Sequence, residues 1–306
     1  MKYRGRVFGS DAELSIEREG VRLASRYVDF ADVARLIPLN HRLFVELVTG
    51  EKIEISMLGF SFDGCWEELS ASFASRSEAS LFIEEELLMR CSGEFELPAE
   101  RGRGAVALYP DAVVILPDSL RAVRIPLCFS SEPETNGYIA RLSLPDGRRY
   151  SFGRMGYDTM PFFERMLKNR AATIRARAAA LEKVPILPPF TDKGLFRTER
   201  PEQYWLAAFG RGVCAVELFV GEDAATYLYR FEEPREVFLY NLEAAMEAVG
   251  THREIIFIPD EKIAQNPLYR MAVERCPAVG FLRSRSAGRL IHSADHSEKL
   301  RAFLEC

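Results

Sequence analysis

Short apolar stretches that alternate with polar residues and end in turn formers fill the opening part of the chain. Leu14-Ser15-Ile16, Val21-Arg22-Leu23, Leu43 to Val48 and Ile53 to Leu58 have strand length and strand patterning. Glu19-Gly20 and Thr49-Gly50-Glu51 separate pairs of them and predict hairpin turns. The period lengthens after Asp63, a helix-capping residue type. Trp66, Leu69 and Phe73 recur at i, i+3 and i+7 and predict one apolar helix face. A second helix is predicted over Glu78 to Met89, with Glu84-Glu85-Glu86 as a solvated face.

The next stretch follows the same plan. Ala105 to Leu108 and Ala112 to Leu116 flank Pro110-Asp111, and Tyr138 to Leu144 and Arg148 to Phe152 flank Pro145-Asp146-Gly147. Asp158 then opens a helix carrying Phe162, Phe163, Met166 and Leu167, with Pro161 in its first turn. Collinear matches point to an internal repeat. Gly59 and Gly156, Phe60 and Tyr157, and Trp66 and Phe163 each stand 97 positions apart. Ile37-Pro38-Leu39 and Ile125-Pro126-Leu127 stand 88 apart, which places a longer surface loop at 128–137 of the second copy. The helix is expected to run on through Lys168 to Leu181 and to end before Pro185, Pro188 and Pro189.

From about Phe190 the plan changes. Tyr204 to Phe209, Val213 to Val220 and Ala224 to Phe231 predict three strands. Pro234 opens a helix that ends at Gly250. Arg253 to Ile258, Ala278 to Leu282 and Leu290-Ile291 are expected as strands, with a short helix opened by Asn266-Pro267 between them. A last helix is predicted from about Ala294, capped by Ser293, and Arg283 to Arg289 is expected as a solvated hairpin turn.

Short antiparallel strands closed by one amphipathic helix with a buried aromatic, Trp66 in the first copy and Phe163 in the second, resemble the pleckstrin-homology-like fold. The resemblance covers roughly residues 1–184. It implies an α+β fold: two PH-like β-barrel or sandwich units, 1–92 and 93–184, each closed by a C-terminal helix, plus a third α+β domain at 185–306. It also implies a binding module that engages lipid headgroups, peptides or proteins without making bonds. Lipid binding in that family uses basic residues around the first hairpin. Lys2, Arg4 and Arg6 alternate onto one strand face, but Glu13 lies close by, and the second unit's hairpin at Tyr109-Pro110-Asp111 has no basic residue. The resemblance therefore points to protein partners.

Composition narrows the class further. The chain has 306 residues, 48% hydrophobic and 28% charged, with no apolar run of membrane-spanning length. No secretory signal is expected from Met1-Lys2-Tyr3-Arg4-Gly5-Arg6. The six cysteines form no CxxC pair, which suits reduced thiols in a cytoplasmic protein. Net charge is −5 overall, and it divides as −5, +3 and −3 over 1–92, 93–184 and 185–306. A nucleic-acid partner is not expected from that balance. Membrane contact is not expected either.

No phosphate loop, dinucleotide fingerprint, HExxH or nucleophile elbow occurs, so no catalytic residue, cofactor or metal is assigned. His292 and His296, four apart with Asp295 between them, come nearest to a ligand set. They are read as the exposed start of the last helix. The candidate binding residues are Lys2, Arg4, Arg6, Arg175 and Arg177. The expected function is a non-enzymatic cytoplasmic interaction or scaffold protein that binds protein partners or self-associates. One alternative is an enzyme with a site in 190–306 using Glu217, Arg230, His252 or Arg253. A second is a membrane-surface protein that binds lipid headgroups through the N-terminal basic strand.

Overall fold

The computed structural model describes residues 2–196 and 200–306. Among these residues, three antiparallel sheets and seven α-helices make an α+β protein. The first sheet comprises β1 (Lys2–Val7), β2 (Ser10–Ile16), β3 (Gly20–Leu23), β4 (Arg26–Asp29), β5 (Val33–Leu39), β6 (Arg42–Leu47) and β7 (Lys52–Ser56). Its spatial order is β4-β3-β2-β1-β7-β6-β5, and α1 (Phe62–Ala79) closes it. The second sheet comprises β8 (Met89–Leu97), β9 (Glu100–Leu108), β10 (Ala112–Leu116), β11 (Val123–Pro126), β12 (Glu134–Thr135), β13 (Ile139–Ser143) and β14 (Arg149–Gly153). Its order, β11-β10-β9-β8-β14-β13-β12, is that of the first sheet, and α2 (Thr159–Glu182) follows.

The third sheet is a meander of β15 (Asp192–Leu195), β16 (Gln203–Phe209), β17 (Val213–Val220) and β18 (Asp223–Arg230), extended by β19 (Ser286–Leu290). Between β18 and β19 run α3 (Arg235–Val249), α4 (Asp260–Gln265), α5 (Pro267–Arg275) and α6 (Pro277–Arg285). The chain closes with α7 (His296–Glu305). Alternation along β17 sends Cys214, Val216 and Leu218 towards α3, while Ala215 and Glu217 face the side covered by α7.

Several predicted elements fall differently. α1 ends at Ala79, and residues 80–88 form an irregular connection in which Phe82 takes a φ of 50°, so no helix spans Glu78 to Met89. β8 runs across the expected 92/93 border; the break between the first two units lies in 80–88 instead. Arg253 to Ile256 belongs to a 3-10 turn, and Ala278 to Leu282 lies inside α6. Arg283 and Arg285 end that helix rather than forming a hairpin turn.

The Ile-Pro-Leu triplets occupy non-equivalent places. Ile37-Pro38-Leu39 ends β5, whereas Ile125-Pro126 ends β11, the topological counterpart of β4. The offset of 97 instead holds from the 3-10 turn Phe30–Asp32, matched by Leu127–Phe129, through to the start of the closing helices. The length difference therefore arises in the first four strands. The segment 128–137 is not a free loop: Ser130 is buried and Arg170 of α2 donates to its carbonyl at 2.9 Å.

The cores divide unevenly. Phe30, Val45, Ile53, Cys65, Leu69 and Phe73 belong to a cluster confined to the first unit. A second cluster is shared between the second sheet and the third domain, joining residues such as Ile125, Leu127 and Phe152 to Phe238, Leu242 and Val279. The edge strand β5 is covered by the second unit. Leu36 N donates to Asp118 O at 2.9 Å, Leu120 N to Ala34 O at 3.0 Å, and Arg35 pairs with Glu100 at 2.6 Å. Arg270 of α5 pairs with Asp32 at 2.9 Å, which ties the third domain to the first.

Candidate functional site

Two places gather residues that could act. The first is one end of each of the first two units. Val7 pairs with Ile55 and Ile55 with Leu43, so the turns after β1, before β6 and after β7 crowd together. Phe8 and Met57 are exposed there, and Phe60 has a relative exposure of 110%. In the second unit Gly153 pairs with both Glu94 and Ile139, and Arg154 N donates to Tyr138 O at 2.8 Å. Tyr138 and Met160 are exposed at that end, and Tyr157 reaches 103%. The turns that carry the two rings have the same backbone form. Met57 and Arg154 have φ of 57° and 51°, and Gly59 and Gly156 have 56° and 65°, the left-handed region that glycine enters without strain. A 3-10 turn then leads straight into the closing helix in both units. Both turns therefore hold an aromatic side chain in full contact with water.

Two of the three flanking charges are already paired. Lys2, Arg4 and Arg6 share the exposed face of β1, as expected. Across the ladder, however, Lys2 meets Glu13 at 2.6 Å and Arg6 meets Asp11 at 2.9 Å. The Lys2 ammonium holds the Glu13 carboxyl below its usual range. The first hairpin of the second unit is β8–β9, not the turn at 109–111, and it repeats the arrangement with Glu94 opposite Arg103 and Glu96 opposite Arg101. Arg175 is exposed on α2. Arg177 is not available as a surface contact. It is buried, pairs with Glu243 of α3 at 2.6 Å and lies over the Phe129 ring at 4.8 Å, because α2 packs against the third domain there.

The second place lies on the α7 face of the third sheet. Glu217 of β17 is opposite Thr226 of β18, and Thr226 is opposite Leu290 of β19. His292 follows two residues beyond Leu290, and α7 begins at His296. His292 Nε2 lies 2.6 Å from Glu217 Oε1, and His296 Nε2 lies 2.7 Å from Thr226 Oγ1. The Thr226 hydroxyl donates to the other Glu217 oxygen. Its own oxygen is thereby left to accept, so His296 Nε2 carries the hydrogen in this arrangement. His292 stands outside the helix, and Ser293 does not cap it; its hydroxyl reaches the Asp295 carboxylate and the Ile291 carbonyl instead. Two imidazoles and a carboxylate thus offer a mixed nitrogen–oxygen donor set.

The other residues named for an enzymatic site stay apart. His252 packs against the Phe82 ring at 4.4 Å, Arg253 lies over Phe196 at 5.3 Å, and Arg230 is exposed at the end of β18. Sequence reading named Glu217 and the histidines separately. It missed Thr226, which carries no signal until the β17–β18 register is known. Between the 80–88 connection, the second unit and the third domain, a cavity of about 40 Å³ is lined by Phe82, Arg124, Arg148, Tyr240, Arg275 and Cys276 among others. Among the described residues, no helix is long and apolar enough to cross a membrane. The chain matches no family model, and no curated protein matches it.

Proposed function

We propose that residues 2–184 form two pleckstrin-homology-like units, and that the protein is a non-enzymatic interaction protein docking a protein partner on their apolar ends. One observation carries this reading: the same strand order, followed by the same left-handed turn, presents Phe60 in one unit and Tyr157 in the other to full solvent exposure. Aromatic side chains supply much of the energy at protein interfaces. The ladder of paired charges favours a protein over a phosphate-bearing ligand, since a phosphate would have to displace Glu13 and Asp11 from Lys2 and Arg6. The six cysteines, free of disulfides, support a reducing compartment such as the cytoplasm.

The intact protein and the Phe60→Ser/Tyr157→Ser double variant, immobilised side by side, test the reading. Both substitutions are on the surface and should leave stability within about 0.5 kcal/mol. The intact protein should retain a partner, or a second copy of itself, in stoichiometric amount. The double variant should hold the same species at least about tenfold more weakly. Equal retention by the two proteins, or no stoichiometric species on either, would overturn it.

A further inference from the structure

The cluster on the third sheet asks for a cation. Glu217 is 3% exposed, and among the described residues no lysine or arginine pairs with it. A carboxylate taken out of water costs several kcal/mol unless a charge or several hydrogen bonds compensate. Here the compensation comes from one hydroxyl and one imidazole. The groups around it are placed by independent elements. Thr226 is fixed by the β17–β18 ladder, His292 by the chain leaving β19, and His296 by α7. That helix is laid on the sheet by Leu300, which is buried against Ala215 and Leu228.

We propose that Glu217, His292 and His296 bind a divalent first-row transition-metal ion, zinc foremost, through Glu217 Oε1 and the two Nε2 atoms, the His296 ring switching tautomer so that its hydrogen sits on Nδ1. The donor atoms lie within 4.8 Å of one another. Bonds of about 2.1 Å at tetrahedral angles set donors about 3.4 Å apart, so binding needs an adjustment that opens the 2.6 Å His292–Glu217 contact and closes any wider pair. His292 can make it, being 43% exposed on the connection between β19 and α7. The Thr226 hydroxyl keeps its bond to the second carboxylate oxygen and orients the ligand from behind. Two imidazoles favour zinc, cobalt, nickel or copper over magnesium and calcium, which prefer all-oxygen sites. Three protein ligands leave a coordination position for water. Metal binding would fasten the C-terminal helix to the sheet.

Chelator-treated intact protein, titrated with Zn²⁺ and separately with Co²⁺, tests the proposal alongside His292→Ala, His296→Ala and Glu217→Gln. His292→Ala removes an exposed ligand with no core contact, so its fold is safe even if the Glu217 variant is not. The wild type should take a single equivalent, and its Co²⁺ form should show the visible bands of a low-coordinate nitrogen–oxygen site. Each histidine variant should bind at least about tenfold more weakly. Zinc should raise the melting midpoint of the wild type and not that of His292→Ala. Absence of binding at submillimolar metal, unchanged affinity in both histidine variants, or a thiolate-to-cobalt charge-transfer band reporting a cysteine site would each overturn the proposal.

Discussion

Asp118 illustrates how a single half-buried charge sits at the joint between the first two units. Its backbone oxygen receives Leu36 N, and its carboxylate receives the Ser70 hydroxyl at 2.5 Å. Burial pushes its pKa above the usual 3.8, against the lowering effect of Ser70. A carboxyl whose folded pKa is raised gives stability that is complete below the unfolded value and lost as pH rises through the folded one. Asp118→Asn keeps the hydrogen-bond acceptor and removes the charge. It should therefore be more stable than wild type at neutral pH, with the difference vanishing below about pH 3.8. Chemical denaturation at the two pH values checks this, and a neutral-pH loss would contradict it. Arg124 is the opposite case. Buried, it donates to Asp111 and to the Glu247 carbonyl, so Arg124→Met should destabilise by about 3–5 kcal/mol by breaking a buried ion pair. Neither role was legible in the sequence, because the partners are set by packing rather than by spacing. The same holds for Glu217, whose imidazole partner His292 lies in a segment that follows four intervening helices.

Among the secondary elements, eight strands of the first two sheets could be read because their alternation and their Gly turns agree. β2, β3, β6, β7, β9, β10, β13 and β14 all fall close to where the pattern puts them. The failures have physical causes. Arg253 to Ile258 is an apolar run too short for period alone to separate strand from helix. Ala278 to Leu282 follows Pro277, which occupies the first turn of α6, a start signal that the apolar run obscured. The Ile-Pro-Leu match misled because apolar residues around proline suit any edge segment, whereas the Gly-aromatic turn before each closing helix has a specific backbone need. The placement of α7 depends on a close approach: a Cβ on Gly210 would lie 1.9 Å from the Leu304 carbonyl oxygen. Gly210→Ala should push α7 off the sheet, cost about 1–3 kcal/mol and speed amide exchange in 296–305. Unchanged exchange there would show that the helix does not need that approach.

For the whole molecule, the distribution of cores predicts which parts stand alone. The first unit buries its apolar residues within 7–73, while the second sheet shares its core with α3 and α6. A chain of residues 1–80 should therefore unfold cooperatively, whereas one ending at 184 should expose the shared core and aggregate. Expecting three separable domains from the sequence missed that sharing, because apolar periodicity reveals a buried face but not what covers it. The apolar ends of the two units remain uncovered within the chain and support a binding role. The most direct measurement is hydroxyl-radical footprinting of the protein alone and in the stoichiometric complex retained by the intact chain. Phe8, Met57, Phe60, Tyr138, Tyr157 and Met160 should be protected in the complex, while the exposed Ile186 and Ile291 elsewhere on the surface should react as before. Oxidation of Phe60 and Tyr157 at undiminished rates in the complex would contradict the account.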